Sequence, residues 1–123
     1  MPVLNSSQAR EYDLHGSRFT SYVAPSLGSE RLCAWRLAVE PGTVGAEHRV
    51  STEEVLFVTD GPLRVTIDDV RSDAPQGAVV FVPAGSSFRV DGGERRASAW
   101  VVTTAGLQAV LADGSTLTPP WTV

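Results

Sequence analysis

The chain has 123 residues, a length that suits one domain able to bury its own core without disulfide bonds. A hydrophobic fraction of 42% and a charged fraction of 20% exclude an intrinsically disordered chain. The net charge of −4 argues against a nucleic-acid-binding protein and against a membrane-surface protein, because both need a basic face.

The N-terminal region, residues 1–30, predicts irregular chain and edge strands that lead into a barrel, with a short helical turn near residues 7–10. It has no cationic segment followed by an apolar stretch, which a signal peptide would need. No apolar run in the chain approaches the roughly 18 residues of a membrane span. We therefore expect a cytoplasmic protein with no membrane partner.

The central region, residues 31–104, predicts the core of the barrel. Short runs rich in valine, isoleucine, threonine and aromatic residues alternate with closely spaced turn signals, a pattern typical of an all-β sandwich or barrel. Side chains alternate between faces along a strand. Two segments have one apolar face each, formed by Cys33, Trp35, Leu37 and Val39 in the first and by Leu63, Val65 and Ile67 in the second.

Two other central segments, residues 55–58 and 78–82, are apolar on both faces. Such strands are normally covered on both sides. In a domain of this size a second subunit could supply the outer cover, so we expect a homodimer.

The C-terminal region, residues 105–123, predicts a hairpin that turns at Asp113–Gly114 and then a tail. Trp121 in this tail is expected to pack the terminus down rather than to contact a ligand. The lone cysteine, Cys33, lies in an apolar run and is expected to be a buried structural thiol, since a reactive thiol needs an open, basic setting. Residues 1–123 are thus expected to form a single domain.

Two stretches of the central region match sequence motifs in order, spacing and separation. Residues 41–61 read PGTVGAEHRVSTEEVLFVTDG, and they resemble the first cupin motif through Gly42, His48, Glu54 and Gly61. Residues 77–88 read GAVVFVPAGSSF, and they resemble the second cupin motif through Gly77, Pro83 and Gly85. The resemblance implies an all-β cupin jelly-roll β-barrel of two antiparallel sheets with little helix, in a family whose members are frequently dimeric.

The family's metal site uses two histidines and the glutamate of the first motif together with the histidine of the second. Here Val50 stands at the second histidine position and Phe88 at the last, so only His48 and Glu54 remain. Zinc and iron sites normally use three protein ligands. We therefore predict no tightly bound metal or other cofactor. A divalent metal at His48 and Glu54 is the less favoured alternative, and it would need a substitute ligand such as His15 or Cys33.

The motif positions predict a pocket bounded by His48, Val50, Glu54 and Phe88. Trp35 packs in the core or offers this pocket a flat apolar wall. We expect His48 to hydrogen-bond Glu54 or the backbone, or else to act as a general base or substrate anchor. A carboxylate in an apolar cavity is costly unless it is paired, so His48 and Glu54 could satisfy each other.

Three functions stay open at this point. The first is a barrel that binds an unknown small molecule. The second is an enzyme, either a metal-independent isomerase or cyclase with His48 and Glu54 as candidate catalytic residues, or a metal-dependent oxygenase with unusual ligands. The third is a structural barrel whose pocket has lost its role.

Overall fold

The computed structural model describes residues 3–123 and contains two six-stranded antiparallel sheets that face each other. The strands are β1 (Arg10–Leu14), β2 (Ser17–Val23), β3 (Leu32–Val39), β4 (His48–Val50), β5 (Glu54–Asp60), β6 (Leu63–Ile67), β7 (Val70–Ala74), β8 (Val79–Val82), β9 (Ser87–Asp91), β10 (Ala97–Thr104), β11 (Ala109–Leu111) and β12 (Thr116–Leu117). Helix among the described residues is limited to three single 3-10 turns, at Ser6–Gln8, Pro25–Leu27 and Pro120–Thr122. The predicted all-β jelly-roll is confirmed.

The strand order divides each of the two sequence motifs between both sheets. One sheet has the order β1-β2-β3-β10-β5-β8, and the other has the order β12-β11-β4-β9-β6-β7. The chain therefore crosses from sheet to sheet between β4 and β5, inside the first motif, and again between β8 and β9, inside the second. Each motif consequently contributes side chains to both walls of the barrel interior.

The core lies between the sheets and follows the predicted alternation. In β3 the inward residues Cys33, Trp35, Leu37 and Val39 are all buried, and in β6 Leu63 and Val65 are buried with Ile67 packed beside them. Cys33 is fully buried, and its thiol donates to the carbonyl oxygen of Thr122 at 3.4 Å. Burial also raises the pKa of this thiol. The interpretation of Cys33 as a structural thiol agrees with this placement.

The N-terminal region is more regular than its sequence pattern indicates. Residues 10–23 form a β1–β2 hairpin, and β2 is an inner strand that also pairs with β3. The alternation in β2 is hard to recognise because its inward positions include Ser17 and Ser21. The Ser21 hydroxyl is buried and donates to the carbonyl oxygen of Trp121 at 3.0 Å, which satisfies it inside the barrel.

The strands with two apolar faces are covered on one side by the described chain. Phe57, Val79 and Phe81 remain 45%, 59% and 51% exposed on the outer face of β5 and β8. The cross-strand pair Phe57–Val79 and the pair Val55–Phe81 place these side chains next to one another. Within residues 3–123, none of the helical segments could span a lipid bilayer.

Candidate functional site

A cavity of about 270 Å³ opens between the two sheets at one end of the barrel. Its lining is mostly apolar and comes from both sheets, the β1–β2 turn and the C-terminal turn. The exposed lining residues Leu14, His15 and Leu117 mark its open end. His48 and Glu54 supply the polar side chains nearer the core. The cavity resembles small-molecule sites, which are mainly apolar with a few polar groups.

Glu54 is the first residue of β5, and its side chain faces the cavity while remaining only 5% exposed. Burial penalises the charged form and raises the pKa of the Glu54 carboxyl from 4.5 to about 7. No described residue offsets this burial with a hydrogen bond or an opposite charge. The expected hydrogen bond to His48 is not formed, so the carboxyl is left with the cavity as its partner.

His48 begins β4 in the opposite sheet, and its ring is held by the backbone. The ring Nδ1 lies 3.0 Å from the carbonyl oxygen of Ala46. A carbonyl oxygen can only accept, so Nδ1 carries the proton in this contact and Nε2 of the neutral ring is a free acceptor. Of the two hydrogen bonds predicted for His48, to Glu54 or to the backbone, the structure shows the one to the backbone.

The loop before His48 is fixed by a close backbone approach. A Cβ on Gly45 would lie 2.1 Å from the carbonyl oxygen of Val90, so only glycine fits against β9 here. The Gly45 N–H donates to Asp91 Oδ1 at 2.8 Å, and Arg89 pairs with Asp91 Oδ2 at 3.0 Å. This chain of contacts positions Ala46 and therefore the imidazole that Ala46 holds.

Aromatic rings form much of the cavity wall. Phe19 and Trp121 stack with ring centroids 3.7 Å apart and planes 8° apart, and Trp35 meets Trp121 at 6.4 Å. Phe88 lies beside His48 with ring centroids 5.7 Å apart in an edge-on arrangement. The Trp35 indole N–H is buried without an acceptor among the described residues, so packing alone orients this ring.

The structure brings together four of the five residues predicted for the pocket. His48, Glu54, Phe88 and Trp35 line the cavity, whereas Val50 is 1% exposed in the core and does not line it. Phe88 lies on the same wall of the cavity as His48. His48 and Phe88 are directly paired across β4 and β9, so Glu54 is the residue that faces them from the other sheet.

The donor set does not fit a transition metal. In residues 3–123 no group of three or more histidine, cysteine, aspartate or glutamate side chains is close enough to hold an ion. Cys33 is sealed in the core, and His15 lies at the exposed end of the cavity. Two donors from opposite sheets fall short of the three that zinc and iron sites normally use.

Segments near both ends of the chain also contribute to the site, which the sequence pattern did not reveal. Trp121 packs the terminus as predicted, but it also lines the cavity, so the two roles are not alternatives. Tyr22 and Trp100 contact each other, with ring centroids 5.1 Å apart, and neither residue lines the cavity. Motif spacing cannot detect such contributions, because residues 14–19 and 117–121 lie outside both motifs.

The chain matches a sequence model of one known protein family. The model described as "Cupin domain" matches residues 35–103, which is more than half of the chain. The chain belongs to the cupin family. This cupin domain includes both motifs and every strand from β4 to β9. No curated protein matches the chain in sequence.

Solved structures with the same fold include several cupins of different activity. The polyketide cyclase RemF from Streptomyces resistomycificus matches 85% of this chain and 79% of its own at 16% identity, with a TM-score of 0.73. An RmlC-like cupin from Shewanella frigidimarina matches 85% and 90% at 18% identity, with a TM-score of 0.70. A variant of oxalate decarboxylase from Bacillus subtilis matches 94% of this chain and 31% of its own at 21% identity, with a TM-score of 0.75. At these identities the likeness shows the fold alone, and one fold hosts many chemistries.

Proposed function

We propose that this cupin binds a small, largely apolar molecule in the cavity between its sheets, without a tightly bound metal. The observation that carries the proposal is the open cavity of about 270 Å³, whose apolar walls surround an unpaired Glu54 carboxyl. A purely structural barrel has no need of such a cavity, since filling it would add packing contacts.

A matched pair of variants on β11 tests this proposal. Ala109 points into the cavity and is 4% exposed, whereas its neighbour Val110 is not part of the lining. The probe is 2-naphthol, and its binding is followed through the fluorescence of Trp35 and Trp121, both of which line the cavity. We expect Ala109→Phe to fill the cavity and abolish binding, and Val110→Phe to leave the affinity unchanged.

Two controls make the result interpretable. Thermal unfolding of both variants establishes that each is folded at the temperature of the titration. Cavity enlargement by Leu56→Ala provides a second variant, since Leu56 also lines the cavity and the change should alter 2-naphthol affinity without blocking entry. Binding that is equal in the wild type, Ala109→Phe and Leu56→Ala would refute a site in this cavity.

A second candidate function is metal-independent proton transfer, as in an isomerase or a cyclase. It is supported by the placement of an acceptor, Nε2 of His48, and a protonatable acid, Glu54, on opposite walls of one cavity. In such a step His48 would remove a proton from carbon while Glu54 gives its proton to a carbonyl oxygen. RemF, one of the cupins with this fold, is described as a polyketide cyclase.

Deuterium incorporation separates this candidate from simple binding. A bound ketone incubated in deuterated buffer would gain deuterium next to its carbonyl group, as read by mass spectrometry. We expect His48→Gln to abolish the exchange and to retain binding. Binding without exchange in the wild type would leave the carrier or sensor function as the better account.

A further inference from the structure

We propose that the ligand is an uncharged, ring-bearing molecule with a hydroxyl group that hydrogen-bonds the Glu54 carboxyl, and that the cavity rejects organic anions. This inference rests on the proposed binding function and specifies the chemistry of the ligand. It is carried by the unpartnered Glu54, by the charge of the cavity wall and by the rings that form it.

The Glu54 carboxyl lacks a hydrogen-bond partner among the described residues. It is buried in an apolar cavity with no described donor or acceptor to satisfy it. Burial raises its pKa to about 7, so protonated and ionised forms coexist near neutral pH. A ligand hydroxyl can both donate and accept, and it can therefore satisfy either form. A ligand carbonyl could serve only the protonated form, and an ammonium group only the ionised one.

His48 offers a hydrogen-bond acceptor on the wall that faces Glu54. With Nδ1–H donated to Ala46, Nε2 of neutral His48 has only its lone pair to offer. A hydroxyl proton suits this lone pair, whereas a carboxylate oxygen would be repelled by it. His48 and Glu54 thus favour the same ligand group.

The described lining of the cavity carries no fixed positive charge. All 10 basic residues of the chain are arginine, and none of them belongs to the described lining of the cavity. A buried carboxylate ligand needs a charged partner. His15, the other histidine of the chain, lies at the exposed end of the cavity. Anionic ligands, oxalate among them, therefore find no arginine near Glu54 and meet a carboxyl that is itself partly ionised.

The walls of the cavity suit a flat ligand. Phe19, Trp35, Phe88 and Trp121 line the cavity with flat apolar surfaces. Its volume of about 270 Å³ lies just below the range for small-molecule sites, which is roughly 300–1,000 Å³. A ligand with one or two rings fits this combination.

Calorimetric titration with four naphthalene probes tests the proposal at neutral pH. The probes are 2-naphthol, 2-methoxynaphthalene, 2-naphthoate and 2-naphthylmethylammonium, which share the ring and differ in one group. We expect 2-naphthol to bind at least about tenfold more tightly than each of the other three, because each of them leaves Glu54 unsatisfied in at least one of its forms. We expect Glu54→Leu to remove the preference for 2-naphthol over 2-methoxynaphthalene, and Glu54→Gln to retain it.

The outcomes separate this inference from the function it rests on. Equal affinity for 2-naphthol and 2-methoxynaphthalene, with both lost in Ala109→Phe, would overturn the hydroxyl preference and leave the binding function intact. Tightest binding of 2-naphthoate or of the ammonium probe would also overturn it. Failure of all four probes to bind in an Ala109-dependent manner would overturn both proposals. Glu53→Leu is the matched control, since Glu53 is the exposed neighbour of Glu54 and its replacement should change none of the affinities.

Discussion

Glu54 ionises more readily in the unfolded chain than in the barrel, because folding removes its carboxyl from water. Its pKa is 4.5 unfolded and about 7 folded, so the native state binds more protons between these values. Stability is therefore unpenalised below pH 4.5 and falls as the pH rises through 7. The full penalty above that range is about 3 kcal/mol, at roughly 1.4 kcal/mol for each pH unit.

Glu54→Gln should remove this pH dependence, because the amide has nearly the same shape and does not ionise. The variant is expected to gain stability relative to the wild type by up to about 3 kcal/mol between pH 4.5 and pH 8. Urea unfolding at several pH values measures the difference. Glu53→Gln is the matched control and should follow the wild-type profile, because Glu53 is exposed. Parallel profiles for Glu54→Gln and the wild type would contradict a buried, unpaired carboxyl.

Metal affinity provides a second test at the residue scale. Val50 and Phe88 occupy positions where the cupin motifs have histidine, and His48 and Glu54 alone are too few ligands. We expect the Phe88→His variant, which adds a third donor beside His48 in the cavity lining, to bind Zn²⁺ at least about tenfold more tightly than the wild type, measured by competition with a chromophoric chelator. Tight Zn²⁺ binding by the wild type that is lost in His48→Ala would contradict the metal-free interpretation.

At the scale of elements, the 3-10 turn Pro120–Thr122 has an effect larger than its length suggests. Trp121 stacks on Phe19 of β2, and the carbonyl oxygens of Trp121 and Thr122 accept from Ser21 and Cys33. Three residues thus attach the end of the chain to two strands of one sheet and close part of the cavity.

Trp121→Ala is expected to destabilise the fold by about 3–5 kcal/mol, because it removes a buried indole and leaves its space empty. Trp121→Phe keeps a ring on Phe19 and should cost less than about 2 kcal/mol. Chemical denaturation of the two variants measures the loss. An alanine variant as stable as the wild type would show that the terminus does not need this packing.

The elements also show how far sequence could go. Periodicity predicted β3 and β6 because their inner faces are continuous hydrocarbon, and motif spacing predicted the polar pair His48 and Glu54. Spacing did not reveal that β4 and β5 belong to opposite sheets. It also did not reveal that β4 pairs with β9, which sets Phe88 beside His48. It could not reveal the wall contributed by Trp121 either, since that contact joins residues 102 positions apart along the chain, at 19 and 121.

At the scale of the whole molecule, the outer edge of β8 has no partner strand among the described residues. Four strands lie at sheet edges: β1 and β7 carry charged residues, and β12 has two residues, whereas β8 is uncharged with Val79 and Phe81 exposed. Proteins normally protect such edges against pairing. We propose that a second copy covers it, because antiparallel pairing of one strand with itself obeys a two-fold axis.

Light scattering at several concentrations measures this association. The wild type is expected at twice the chain mass of 13.1 kDa, with Phe81→Lys and Phe57→Lys at the mass of one chain. Val70→Lys is the control, since Val70 is 67% exposed on the charged edge strand β7. A wild type that stays monomeric, or lysine variants that stay dimeric, would contradict the proposal and leave the edge available to a different protein.

Trp121 both lines the cavity and packs the C-terminal turn, so a ligand in the cavity should make this turn detach less often. A molecule bound against the indole stabilises the packed tail relative to the detached tail by mass action, and the free energy gained grows with the logarithm of its concentration over its dissociation constant. Digestion by a carboxypeptidase should accordingly slow when a tight guest is added. Nicking of the tail would in turn release the guest, so the rate of trimming becomes a readout of what the barrel holds.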